Sequence, residues 1–219
     1  MSDVNERTRK LTLMAMLAAM SYVAMLVTRP LPAVAGFLSY DLKDVIIVIA
    51  GFLLGPVAAS IITLVVSLIE MVTVSSTGVI GLLMNVLSTG AFAIPPAVLY
   101  RRNRTLKSAA LGLGIGVLLM TALMLAWNYI ITPLYMNVPR EVVAGMLLPT
   151  FLPFNLVKGG LNAGITMLLY KPLSAAIGRA GLLPRGASGK PHRFNPAVLL
   201  TSLFLIATCV VLFVLMARG

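Results

Sequence analysis

Seven stretches of this chain are apolar runs with almost no charge, at residues 11–27, 45–54, 57–74, 79–100, 108–131, 153–172 and 196–217. Most are long enough to cross a hydrocarbon core about 30 Å thick, which takes about 20 helical residues. Inside lipid every backbone N–H and C=O must be satisfied within the protein, and a run of this length does that as a helix. Composition agrees: 11% of residues are charged, against about 25% in soluble domains, and the mean hydropathy is +1.01. The fold class expected is an all-α polytopic membrane helix bundle. Little chain is left for a separate soluble domain.

The formal net charge of +11 suggests nucleic acid at first, but the placement of the basic residues excludes that. Arg7, Arg9 and Lys10 precede the first run, and Arg101, Arg102, Arg104 and Lys107 fill the loop after the fourth. Lys171, Arg179, Arg185, Lys190 and Arg193 follow the sixth, so twelve of the 17 Lys and Arg lie in alternate connections. Short cytoplasmic loops carry such an excess, which places the N-terminus in the cytoplasm and the C-terminus outside. The first run lacks a cleavage-type ending and reads as a span rather than a signal peptide. The chain divides into a bundle at 1–180, a basic Gly- and Pro-rich linker at 181–195, and a further transmembrane helix at 196–219.

The sixth run carries a lysine. In Pro153-Phe-Asn-Leu-Val-Lys-Gly-Gly-Leu-Asn162, Asn155, Lys158 and Asn162 fall within about 60° of arc on one helix face. An ionised side chain at the centre of a span costs roughly 2.5–3.5 kcal/mol, so it is paired or faces a cavity unless it snorkels to a helix end. The expected topology puts Glu70 near the outer end of the third run, Asn85 near that of the fourth, and Asn128 near that of the fifth. With Asn155 and Lys158, five polar side chains from four helices share the outer half of the membrane. The inner half has small residues instead: Ala15, Ala18 and Ala19 on the first run, Ala58, Ala59 and Ser60 on the third. Ala15-x-x-x-Ala19 makes a smooth face that another helix approaches closely, within the chain or on a partner.

Catalysis has little support. Acid–base or nucleophilic work needs paired carboxylates or a His beside a nucleophile. Asp41 and Asp44 lie in the broken segment 28–44, where a loop and a helix N-cap account for them. Gly186-Ala-Ser-Gly-Lys190 faintly resembles a phosphate loop, but Pro191 stands where Ser or Thr belongs. The one cysteine, Cys209, excludes a disulfide framework, and the one histidine, His192, sits in the basic linker. The thirteen methionines read as filler. Binding is better supported, because asparagine presents a donor and an acceptor side by side, matching the edge of a heterocycle. Lys158 adds a donor, and Phe37, Tyr40, Trp127 and Tyr129 are placed to pack a flat ring. No cofactor or metal is implied.

Several motifs resemble the substrate-binding S-components of energy-coupling factor (ECF) vitamin transporters, nearest the riboflavin-binding type. They are the Ala-rich first helix, Phe37-Leu-Ser-Tyr-Asp-Leu-Lys-Asp44, Gly55-Pro56, Asn128-Tyr129 with Thr132-Pro-Leu-Tyr135, and Pro153-Phe-Asn155-Leu-Val-Lys158-Gly159, within residues 8–180. The resemblance implies a six-helix bundle in a bacterial plasma membrane, a vitamin pocket near the outer face and a lid from the first loop. It implies docking on a transmembrane coupling protein driven by two ATPase subunits. Asn128, Asn155 and Lys158 would hold the flavin ring, with Phe37, Tyr40, Glu70 and Asn85 around it, and Ala15 and Ala19 would meet the coupling protein.

Two features depart from the family pattern: the seventh span, and Glu70, which either pairs with Lys158 or marks a different vitamin or heterocycle. Rival classes are a self-sufficient carrier using Glu70 as a proton-linked carboxylate, and a scaffold without a pocket. Proton-driven uptake by the protein alone in liposomes separates the carrier from an S-component.

Overall fold

The computed structural model describes residues 3–180 and 196–218. The linker expected at 181–195, with His192, lies outside them. The helices are α1 (Asp3–Thr28), α2 (Lys43–Leu54), α3 (Pro56–Thr73), α4 (Gly78–Arg102), α5 (Leu106–Met136), α6 (Arg140–Met146), α7 (Leu152–Arg179) and α8 (Pro196–Arg218), with a π-turn at Leu147–Phe151 between α6 and α7. Among the described residues six helical segments are long and apolar enough to cross a membrane, α6 to α7 counting as one. With α2 they make a six-rod bundle plus a seventh rod, the architecture expected from the sequence.

Two elements run further than expected. Helix α5 continues through Pro133 to Met136 and stops where Asn137 adopts a left-handed backbone, φ 53°. Helix α7 passes Pro172 and ends at Arg179. Proline removes a single N–H from the ladder, and helices packed in a bundle tolerate that loss.

α2 is the centre. Its sequence KDVIIVIAGFLL is apolar on every side after the first two residues, and every residue from Lys43 to Leu53 is buried. A helix apolar all round belongs inside, and α1, α3, α4 and α7 surround this one. On α3, Val57, Ile61, Leu64, Leu68 and Val72 point outward while Ala58, Ala59, Thr63, Ser67 and Glu70 are buried. Small and polar groups inside with large apolar groups outside is the pattern for a helix bathed in lipid.

The two ends of the bundle differ. At the basic end, α2 turns into α3 at Gly55, beside the Arg101 side chain. There the Tyr100 and Tyr170 hydroxyls share a hydrogen bond of 2.7 Å, and Phe52 packs on both rings. At the other end, Tyr22 donates to Thr73 Oγ1 at 2.8 Å and Arg29 to the Val74 carbonyl at 3.0 Å. α2 has 12 residues, about 18 Å of rise, and its head stops short of that end. The loop at 29–42 takes up the remaining depth. It turns back on itself at Ala35 and Gly36, where Val34 and Leu38 exchange backbone hydrogen bonds of 3.0 Å, and then descends to Tyr40 and Asp41. This loop roofs a cavity above the head of α2.

Candidate functional site

The cavity has a volume of about 330 Å³, at the small end of the roughly 300–1,000 Å³ that ligand pockets occupy. All seven residues expected at a binding site line it: Phe37 and Tyr40 from the loop, Glu70 from α3, Asn85 from α4, Asn128 from α5, and Asn155 and Lys158 from α7. Met124, Trp127 and Phe154 supply apolar wall. Tyr129 does not contribute, which corrects the expectation from sequence. One residue beyond Asn128 is a rotation of about 100°, so its ring is exposed, with the Arg140 guanidinium 5.4 Å from the centroid.

The charged groups pair differently from either option read in the sequence. Glu70 does not meet Lys158. Lys43 at the head of α2 donates to both Glu70 oxygens, at 2.9 and 2.7 Å, with each side chain 3% exposed. Asn85 Nδ2 donates to Glu70 Oε2 at 2.6 Å. Lys158 instead donates to Asp41 Oδ2 at 2.8 Å, tying the loop to α7. Burial alone pushes the Asp41 carboxyl up, but the ammoniums of Lys158 and Lys43 outweigh it and hold it below the usual carboxylate range. This tie therefore stays charged at neutral pH and is lost only in acid, as the pH falls below that range.

Nor is either aspartate an N-cap. The α2 cap is Leu42, with no side-chain bond. Asp44, fully buried in the first turn, accepts from Thr89 at 2.7 Å and from Asn162 at 3.4 Å. Asn162 also accepts from the Tyr40 hydroxyl at 2.7 Å. It lies beneath the cavity and joins the loop, α2 and α7, while Asn155 and Lys158, up to two turns higher on the same face, reach the open space. Sequence reasoning missed Asp41, Lys43 and Asp44. The signal was a lysine and two aspartates at the head of a run too apolar to sit anywhere but the interior, where charges require partners.

The remaining polar groups define what the cavity can do. Asn128 Nδ2 donates to the Met124 carbonyl at 2.7 Å, and its Oδ1 accepts from Thr132 at 2.9 Å. Asn155 donates one hydrogen to the Phe151 carbonyl at 2.8 Å. Each amide is thus fixed by its own helix and keeps unused bonding capacity, and Lys158 keeps two of its three hydrogens. Fixed donors and acceptors between aromatic and aliphatic walls suit a flat polar ring. Among the described residues no group of three or more His, Cys, Asp or Glu is arranged to hold a metal ion.

Residues 9–170 match the family described as "ECF transporter, substrate-specific component". The chain belongs to this family. The S component is 29% identical over 180 residues to riboflavin transporter RibU of Staphylococcus aureus (strain TCH60), covering 77% of this chain and 92% of that one. It is 30% identical over 178 residues to riboflavin transporter FmnP of Bacillus subtilis (strain 168), covering 75% and 91%. Among solved structures, the S component of a bacterial ECF transporter superposes with a TM-score of 0.65 at 30% identity, covering 78% of this chain and 98% of that one. The S component described here is therefore a multi-pass membrane protein of a transporter family, and the family match ends before α8.

Proposed function

We propose that this S component binds riboflavin in the cavity beneath the 29–42 loop and serves its uptake. The observation that carries the reading is convergence. Asn128, Asn155 and Lys158, named from two short motifs, line one cavity together with Trp127, Phe37 and Tyr40. The names of the relatives support riboflavin as the ring. Asn128, Asn155 and Lys158 would hold the heterocycle's polar edge, and Glu70 and Asn85 line the same cavity. Glu70, held by Lys43 and Asn85, acts as a counter-ion rather than a proton carrier. Another vitamin or heterocycle is the alternative ligand.

Titrating the purified protein with riboflavin tests this reading. Trp127 lines the cavity, so its fluorescence should be quenched in a saturable, one-to-one manner. Unchanged fluorescence, with no yellow colour in protein from flavin-fed cells, would refute the assignment.

In this reading the cavity opens to the outside of a bacterial plasma membrane, with the N-terminus in the cytoplasm and the C-terminus outside. The partners are a transmembrane coupling protein and two ATPase subunits. Ala15 and Ala19 are exposed on α1, and a small-residue face is where another helix packs closely. Replacing Ala19 with Leu should leave riboflavin affinity unchanged while lowering uptake in cells several-fold; unchanged uptake would remove this face from the docking surface.

A further inference from the structure

Helix α8 lies outside the family match, yet it packs along α7 and reaches the loop that roofs the cavity. α7 presents Gly160 and Gly164 to it. A Cβ at Gly160 would stand 3.0 Å from Cys209 Sγ, and one at Gly164 would stand 2.9 Å from Ile206 Cγ1. The two helices are closer than larger side chains permit, as small residues allow at membrane interfaces. This seat puts Phe213, one turn past Cys209, against Tyr40. Their ring centroids are 5.8 Å apart and their planes meet edge to face at 62°. Phe213 is 7% exposed and Tyr40 5%. Around them pack Val34, Phe154, Val157 and Leu161, with Leu38, Met216 and Ala217 at the margin.

Val34, Leu38 and Tyr40 belong to the roof loop. Tyr40 also lines the cavity, and the next residue, Asp41, is the one that grips Lys158. In lipid, covering an apolar ring with a helix gives little over covering it with acyl chains, because both are equally apolar. What a packed helix adds is fixed geometry, since an edge-to-face aromatic contact has a preferred arrangement and mobile lipid has none.

We propose that α8 is a clamp on the roof of the binding cavity, with Phe213 a positioning residue that acts through Tyr40. α8 holds Tyr40 and Asp41, at the foot of the roof loop, against the site and so sets how readily the roof opens and how fast ligand leaves. The link to ligand release rests on the riboflavin reading; the link to roof motion does not.

The test uses the full-length protein in nanodiscs and three variants: Phe213→Ala, Phe213→Tyr, which keeps the ring, and Phe204→Ala, at a position 76% exposed on α8. Without ligand, hydrogen exchange across residues 34–42 should rise about three- to tenfold in Phe213→Ala, the loss of one aromatic pair. Exchange in α2 should stay as it was. Phe213→Tyr should restore the slow exchange, and Phe204→Ala should match the parent protein. Riboflavin dissociation, followed by stopped-flow fluorescence, should accelerate in Phe213→Ala by a similar factor. Unchanged loop exchange overturns the clamp, as does an equal rise throughout α2 and α7, which marks general loosening. Faster loop exchange with unchanged release overturns the role in holding ligand. If the parent protein binds no riboflavin, the riboflavin assignment fails alone, and the exchange measurement still decides the clamp.

Discussion

Glu70→Ala should lower stability by about 3–5 kcal/mol, the cost of leaving one partner of a buried pair uncompensated. In a chain of this size that corresponds to a fall in melting temperature of roughly 6–20 °C. The reason lies at the head of α2. Lys43 is 3% exposed and its charge is met by both oxygens of Glu70, so without the carboxylate an ammonium stays in the bundle interior unpaired. Removing both charges while keeping shape, with Lys43→Met and Glu70→Gln together, should recover most of the loss, since the amide oxygen still accepts from Asn85. Thermal unfolding of the purified variants in detergent reads the difference. A double variant as unstable as Glu70→Ala would show that the pair is not the source of the effect.

Lys158→Ala should weaken riboflavin binding by about ten- to 150-fold, the range for losing a hydrogen bond to a charged group, roughly 1.5–3 kcal/mol. It also leaves Asp41 without the ammonium 2.8 Å away, so the roof loop loses its tie to α7 at the same time. Asp41→Asn separates the two effects. It keeps Lys158 in the cavity and removes the charge that draws the loop to it, so affinity should fall less than in Lys158→Ala while release becomes faster. Asn128→Ala should cost about 1–3 kcal/mol, because a polar atom of the ring is then buried without a partner. Equilibrium titration and dissociation rates on the same samples check all three. Wild-type affinity in Lys158→Ala would remove it from the binding surface.

Depth was legible in the sequence, and pairing was not. Run lengths and the distribution of Arg and Lys were enough to put Glu70, Asn85, Asn128, Asn155 and Lys158 at one level, and they line one cavity. Partner choice depends on how a loop folds back, which periodicity does not report. Asp41 and Lys158 are 117 residues apart in the chain, and nothing local to either marks the other. Lys43 and Asp44 were hidden for a different reason. They head a run whose apolar character on every side marks it as interior, but which of α1, α3, α4 and α7 supplies each charge with a partner emerges only when those helices close around it. Tyr129 shows the limit of motif reasoning, since adjacency to Asn128 in sequence turns it to a different side of the helix.

The short, charged-headed α2 has a consequence for how the chain is made. Asp44 bonds to Asn162 across 118 residues, so at roughly 5–20 residues per second of synthesis its partner on α7 is made some 6–24 s after it. A 12-residue helix that begins with Lys and Asp is too short and too polar at its head to settle in the bilayer by itself. Lys43 receives its counter-ion early, from the neighbouring α3, and Asp44 its Thr89 hydrogen bond from α4, whereas the Asn162 bond of Asp44 and the Lys158 partner of Asp41 must wait for α7. Membrane insertion of this protein is therefore not a sequence of independent crossings. The central helix is completed by one of the last to arrive, and the cavity above it exists only once that has happened.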